Sequence, residues 1–289
     1  MRERANVLIT GGTGSLGQAL VRYILDNCNP NKVVVFSRGE ERQVEMQRKF
    51  NDERLRFFIG DVRDKDRLVR AFQRIYYVIH TAAIKHVSVA KYNPEECVKT
   101  NIIGSMNVID AALKADVERV VAVSTDKACN PSNIYGASKL CADKLFLAAN
   151  VYAPKFSVVQ FGNIAGSSGS VIPLWKEQRK TGTITITDPK ATRFWITPHD
   201  AASFICKTIC TPILEVTQVP NMISSTIEVL AGIVAPGCKY NVVGLAGNEK
   251  LHEEILVHRM GNCYGFILSS KDYTLDVEPL RDYLGAICE

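Results

Sequence analysis

Residues 6–10 (NVLIT) are a short apolar run that enters Gly11-Gly12-Thr13-Gly14-Ser15-Leu16-Gly17, after which residues 18–27 carry helical spacing. Strand, glycine loop and helix in that order leave a chain few options. A buried strand feeding straight into a helix opens a parallel sheet with crossover helices on its faces. Gly11 permits the tight turn, Gly14 lets backbone approach a diphosphate, and Gly17 lets the helix close on the sheet. Three glycines alone would be weak; their place between strand and helix predicts a dinucleotide site.

The same alternation continues. Residues 32–36, 55–59, 77–80, 119–124 and 156–161 read as further buried strands, which gives an α/β fold with a doubly wound parallel sheet. About 20 residues past Gly17, Ser37 and Arg38 stand where an NAD enzyme usually carries an acid for the ribose hydroxyls. A hydroxyl and a guanidinium suit a 2′-phosphate, so NADP is expected over NAD, with Arg42 able to share the role; the alternative is that Arg38 is a surface charge. After the third strand, Asp61 next to Val62 can accept from the adenine amine or cap the helix that begins near Asp64. Thr81, Ala82 and Ala83 offer small residues for a nicotinamide ribose, and Lys85 and His86 follow. Lys85 is the stronger candidate for a diphosphate or sugar contact. Residues 94–115 have helical period with Asn101 in their midst, placed either to hold water or backbone near a catalytic lysine or on a solvated face.

The chemistry concentrates at the end of the strand over 119–124, in Ser124-Thr125-Asp126-Lys127, followed by Tyr135 and Lys139. On the first turns of a helix the Lys139 ammonium would sit beside the Tyr135 phenol and favour phenolate, giving a base near neutral pH. Tyr-x-x-x-Lys is common on amphipathic helices; a hydroxyl, a carboxylate and an amine at the ligand edge of a parallel sheet give it weight. Asn163, after the sixth strand, can hydrogen-bond a sugar nucleotide. Beyond it the spacing predicts a helix over 173–180, a strand over 183–187, and a turn at Thr192-Arg193-Phe194 in which Arg193 is a substrate candidate. Thr197 as N-cap and Pro198 at the first helical position mark a helix through about Cys210, which makes His199 and Asp200 helix-start residues. Residues 239–243 read as a short strand and 248–254 as the opening of a last helix. His252 and His258 are six apart, so the zinc-protease pattern is missing and no metal is expected.

Composition narrows the class. A chain of 289 residues with 46% hydrophobic and 22% charged residues is an ordinary globule, and a net charge of +5 scattered along it suits an anionic ligand but not nucleic acid. Its nine cysteines are odd in number, without a Cys-x-x-Cys pair, and read as reduced packing residues, as at Cys28, Cys141 and Cys206. No leader-type apolar run and no membrane-length run is seen, so the expectation is a soluble cytoplasmic protein. Residues 1–165 are expected to form the cofactor domain and residues 166–289 mainly a substrate lobe, with segments around 192–212 and 239–243 returning to the first.

On these residues the chain resembles an extended short-chain dehydrogenase/reductase, and more narrowly the inverting UDP-N-acetylglucosamine 4,6-dehydratases (5-epimerising) of bacterial glycan biosynthesis. The stretches that carry the resemblance are VLITGGTGSLG, VVFSRGE, RFFIGDVRD, HTAAIKHV, KTNIIGSMNVIDAA, VSTDKACNPSNIYGASKL, GNIAGSSGSVIP and TRFWIT. Thr125-Asp126-Lys127 is the most telling, because the related retaining dehydratases typically have Thr-Asp-Glu there. The resemblance implies a Rossmann-like doubly wound sheet with a smaller C-terminal substrate-binding lobe, and a homo-oligomer. It gives Gly11, Thr13, Gly14, Ser15, Leu16 and Gly17 to the dinucleotide phosphates, Ser37 and Arg38 to the 2′-phosphate, and Asp61 and Val62 to the adenine. Tyr135 and Lys139 go to the nicotinamide ribose, with Ser124 nearby, while Lys85, Asn163 and Arg193 go to the UDP-sugar.

The implied reaction is coherent with those residues. Tyr135 as phenolate, with Thr125, takes the C4 hydroxyl proton; a neutral Lys127 is the base at C5; and a protonated Asp126 assists departure of the C6 hydroxyl. Three departures from the family pattern stand out: Gly39 for an acid, Ser168 for an Arg, and Ala246-Gly247-Asn248-Glu249-Lys250 for Arg-Pro-Gly-Glu-Lys. The alternatives are another UDP-sugar enzyme of the superfamily, a 4-epimerase or a retaining dehydratase, or a non-catalytic NADP-binding scaffold. An epimerase needs no acid at C6, and a retaining dehydratase would use a carboxylate as the C5 base.

Overall fold

The computed structural model describes every residue except 153, 212–216, 248, 259–264, 273 and 289. Six strands, β1 (Asn6–Thr10), β2 (Lys32–Ser37), β3 (Leu55–Ile59), β4 (Tyr77–His80), β5 (Arg119–Thr125) and β6 (Lys155–Phe161), form one parallel sheet in the order β3-β2-β1-β4-β5-β6. The connecting helices are α1 (Ser15–Asn27), α2 (Glu40–Phe50), α3 (Lys65–Ala71), α4 (Val87–Tyr92), α5 (Pro94–Val98), α6 (Gly104–Lys114) and α7 (Ile134–Ala148). Both faces of the sheet are covered, which is why its strands read as unbroken apolar runs. Alternate residues serve opposite cores. Val7, Ile9, Val33 and Val35 pack with Leu20 and Ile24 of α1, while Leu8, Val78, Val120 and Val158 pack with Leu68, Val108 and Phe146 of α3, α6 and α7.

The chain beyond β6, mostly a smaller lobe, holds β7 (Asn163–Ile164), α8 (Val171–Gln178), β8 (Thr183–Ile186), β9 (Thr192–Ile196), α9 (Pro198–Thr208), β10 (Ile223–Thr226), α10 (Ile227–Val234), β11 (Lys239–Val242), β12 (Glu254–His258), β13 (Gly265–Ser269) and α11 (Val277–Leu284). Trp175, Ile184, Trp195, Leu230 and Leu280 form its own core. Helix α9 belongs with the large sheet instead, since Ala201, Ala202 and Ile205 pack into the core beside α1. Its N-terminus is built as the spacing predicts: the Thr197 side chain accepts from the Asp200 amide, and Pro198 is at N1.

Four local expectations are corrected. Thr192-Arg193-Phe194 is not a turn but the start of β9, antiparallel to β10 and parallel to β7. Residues 239–242 do not return to the large sheet; β11 pairs with β8 in the lobe. The predicted last helix over 248–254 is absent among the described residues: Glu254 opens β12, which pairs with β13, and Asn248 lies outside them. The last helix is α11. Finally, Asp64 caps α3, accepting from the Arg67 amide, so Asp61 is released from that role. Among the cysteines, Cys206 is buried as expected, but Cys141 is exposed and Cys28 intermediate; all the described ones are free thiols.

The helix expected over 94–115 is interrupted. Residues Lys99–Ile103 form a π-helical turn between α5 and α6, of the kind that inserts an extra residue and re-aims a side chain. Asn101 is the beneficiary. Buried, it accepts from the Ile84 amide at 2.8 Å and donates to the Ile84 carbonyl at 3.1 Å and to Ser138 Oγ at 3.0 Å. It thereby ties the loop after β4 to α7, which settles the choice between a backbone-holding and a solvated Asn101.

Candidate active site

The strand order reverses between β1 and β4, and at such a switch point a parallel sheet opens a crevice past its C-terminal edge. Here it is a cleft of about 920 Å³. Gly11, Thr13, Gly14, Ser15, Leu16 and Gly17 line one wall. Gly11 has φ +68°, and a Cβ on it would lie 2.9 Å from Ala82 backbone atoms; a Cβ on Gly17 would lie 2.5 Å from the Gly12 backbone. Only bare backbone fits here, and the N-terminus of α1 faces the cleft as an anion site.

At the outer end of the cleft stand Ser37, Arg38, Arg42, Asp61 and Val62. Arg38 is largely exposed, with its Nη1 3.7 Å from Asp61 Oδ2. Burial works against the Asp61 charge, but hydrogen bonds from Arg63 and the Arg38 charge outweigh it and hold the carboxyl below its ordinary pKa. The Ser37 hydroxyl accepts from Gln43 Nε2 at 2.9 Å, a partner that the sequence did not announce. At the inner end, Thr81, Ala82 and Ala83 lie beside Ser124, Tyr135 and Lys139. A long crevice with a glycine-walled middle and a cation at one end has the shape and charge that a dinucleotide requires.

The reactive groups meet where β5 ends. Thr125 Oγ1 donates to Asp126 Oδ1 at 3.0 Å, and Lys127 Nζ stands 3.1 Å from the same oxygen. Gly136 lets α7 begin against this turn, since a Cβ there would collide with the Lys127 carbonyl. The surroundings of Tyr135 and Lys127 differ from those expected. The Lys139 ammonium donates to the Val123 carbonyl at 2.6 Å, and the groups that favour Tyr135 ionisation are Lys127 and the Thr125 hydroxyl. Burial outweighs both and pushes Tyr135 up to about 12, not towards neutrality. Nor is Lys127 neutral: burial opposes its charge, but Asp126 and Glu253 together raise its pKa above the ordinary lysine value.

The family described as "Polysaccharide biosynthesis protein" matches residues 7–264. The chain belongs to that family. Among curated relatives, it is 47% identical to a protein from Campylobacter jejuni (strain 81-176) named UDP-N-acetylglucosamine 4,6-dehydratase (inverting), over 86% of this chain and 76% of the relative. It is 35% identical to a Rickettsia bellii UDP-glucose 4-epimerase, over 92% of this chain and 84% of that one. Among solved structures, Pen from Bacillus thuringiensis superposes with a TM-score of 0.89 at 34% identity, covering 98% and 97% of the two chains. DesIV, a dTDP-glucose 4,6-dehydratase from Streptomyces venezuelae, shares the fold at a TM-score of 0.79 and 24% identity.

In this member of the family a smaller pocket adjoins the cleft, lined by Lys127, Asn163, Arg193, Lys250 and Glu253 among others. Arg193 Nη1 donates to the carbonyls of Thr192 and Leu251, which fixes the guanidinium at the pocket wall. Lys85 lines the main cleft and donates to the Ser168 carbonyl at 2.8 Å. Ser168 also donates its amide to Ser15 Oγ at 2.9 Å, so its backbone bridges the lobe to the glycine loop. Glu253 is the residue that sequence reasoning missed, because it sat in a segment read as helix. No helix of the described residues is long and apolar enough to cross a membrane.

Proposed function

We propose that this protein is an NADP-dependent UDP-N-acetylglucosamine 4,6-dehydratase that inverts C5 and yields a UDP-4-keto-6-deoxy-L-arabino-hexose for surface glycan synthesis. The observation that carries the reading is Lys127, an amine beside a buried Asp126 at the junction of the dinucleotide cleft and the smaller pocket. Named relatives at 47% identity support it. NADP over NAD rests on Arg38 and Arg42 and on the lack of an acid at the end of β2. A homo-oligomer and a cytoplasmic site of action complete the reading, on resemblance and composition.

Thr81, Ser124, Tyr135 and Lys139 would hold the nicotinamide end of the dinucleotide, which would supply reversible hydride transfer. The chain's residues handle protons. Tyr135 first gives its phenol proton to solvent and, as phenolate favoured by the Lys127 charge and the Thr125 hydroxyl, receives the C4 hydroxyl proton. With Lys127 held charged, the base at C5 arises by one short transfer: a proton passes from Lys127 Nζ to Asp126. This breaks an N–H bond, forms an O–H bond, and yields an amine for the C5 proton and a carboxylic acid for the departing C6 hydroxyl. Elimination then restores the ammonium and the carboxylate as water leaves, and a proton from solvent, added to C5 on the face opposite the one deprotonated, completes the inversion.

The test is incubation with UDP-N-acetylglucosamine in deuterated water. Loss of one water with deuterium at C5 is expected. A retained C6 hydroxyl with inversion at C4 would make the chain an epimerase, like the Rickettsia relatives, and an unchanged substrate would leave a cofactor-binding scaffold.

A further inference from the structure

Glu253 is a carboxylate that the reaction as written does not use. It is 3% exposed, its Oε1 lies 3.3 Å from Lys127 Nζ and 3.9 Å from Arg193 Nε, and its Oε2 has no hydrogen-bond partner among the described residues. The residue is pinned in place. Its amide donates to Ser270 Oγ at 2.9 Å, its carbonyl accepts from the Ser270 amide at 2.8 Å, and Ser270 Oγ is bonded in turn to Thr192 at the start of β9. A buried carboxylate oxygen without a partner is a cost that packing alone does not explain.

We propose that Glu253 is a positioning residue for the proposed reaction: it holds the Lys127 ammonium in place and keeps it protonated until substrate arrives. The reading depends on the function proposed above only for its catalytic consequence. Lys127 is faced by Asp126 from its own turn, Tyr135 from α7, Arg193 from β9 and Glu253 from the segment before β12. Glu249 and Lys250 line the same pocket. Arg193 opposes the Lys127 charge, and two carboxylates favour it. Asp126 must take the Lys127 proton for the elimination to begin, so it cannot also be the group that retains it. Glu253, reaching the ammonium from another part of the chain, is free to do so. Its charge also favours transfer of the C5 proton to nitrogen as Asp126 gives up its own to the leaving hydroxyl.

The test follows the Lys127 Nζ signal by nitrogen-15 NMR in lysine-labelled full-length protein, assigned by its loss in Lys127→Met. In the wild type the ammonium signal should outlast that of ordinary lysines as pH rises. In Glu253→Gln it should disappear at least about one pH unit earlier, the displacement expected from losing one close opposite charge. Should the glutamine variant not fold, Glu253→Asp, with the charge drawn back, should give a midpoint below the wild type. An unmoved midpoint in a folded variant overturns the proposal. In parallel, the alkaline limb of C5 deuterium incorporation should move down with the midpoint; a merely structural glutamate would change the rate and leave that limb in place. If the wild type labels no C5 at all, the dehydratase reading fails, while the Nζ titration still decides the role of Glu253.

Discussion

Lys127 Nζ lies 3.1 Å from Asp126 Oδ1, the adjacent residue in sequence, and the two side chains are held together because Thr125 ends β5 and starts a tight turn. A proton donor and its acceptor are thus built from one peptide unit. In the proposed reaction, the rest of the pocket adjusts how readily a proton crosses between them.

Lys127→Glu places a third carboxylate against Asp126 and Glu253 and removes the amine. Turnover is expected to fall by at least about 100-fold, the scale of a lost general acid–base group, with dinucleotide affinity unchanged because the cleft wall is untouched. Product analysis in deuterated water checks it. Persistence of the C5-inverted product would remove Lys127 from the reaction.

Arg38→Asp reverses the charge at the outer end of the cleft and sets an acid against Asp61, 3.7 Å from the lost guanidinium nitrogen. The ratio of NAD to NADP affinity should rise by at least about tenfold, the scale of one lost charge-assisted contact. Equal NADP affinity in variant and wild type would take Arg38 out of the cofactor site.

Gly17→Ala brings a methyl to 2.5 Å from the Gly12 backbone, which no side-chain movement relieves. The expected cost is about 1–3 kcal/mol of stability, together with weaker dinucleotide binding as the loop shifts. Chemical denaturation with and without NADP separates the two. An alanine variant as stable as the wild type would show that the helix can stand off the loop.

Two buried groups set opposing pH dependences. Burial pushes His80 down to about 3, so the unfolded chain takes up a proton below pH 6.5 that the folded chain refuses, and stability falls as pH drops from there. Asp143, which accepts from Ser124 Oγ at 2.6 Å, is raised by burial to about 6. The folded chain keeps that proton, so this contribution is largest below pH 3.8 and is lost as pH rises to 6. In Asp143→Asn only the His80 slope remains. Stability should then climb more steeply between pH 4 and 6, by up to about 1 kcal/mol per pH unit. Urea midpoints across that window check it, and parallel slopes would show that Asp143 holds no proton.

What could be read from the chain was whatever its local pattern dictates. The glycine loop, the six parallel strands and the Thr197 cap follow from neighbours in sequence, and Arg38 and Lys127 follow from their places at strand ends. Arg193 lines the smaller pocket, but its strand is not legible locally, because TRFWI is a strand only by virtue of the β10 segment ISST beside it. Glu253 was hidden for the same reason: the pairing that pins it, with Ser270 and Thr192, joins three distant segments. The protonation states were also out of reach. Spacing placed Tyr135 and Lys139 on one helix, but burial and the Val123 carbonyl decide what each of them does.

The Ser168 bridge has one more implication. With its carbonyl taken by Lys85 and its amide by Ser15, the loop after β7 fastens the mouth of the crevice to the loop that would wrap the diphosphate. A redox carrier seated beneath that clasp would exchange slowly with the surrounding pool. Slow exchange suits a catalyst whose carrier leaves each turnover in the oxidation state in which it began.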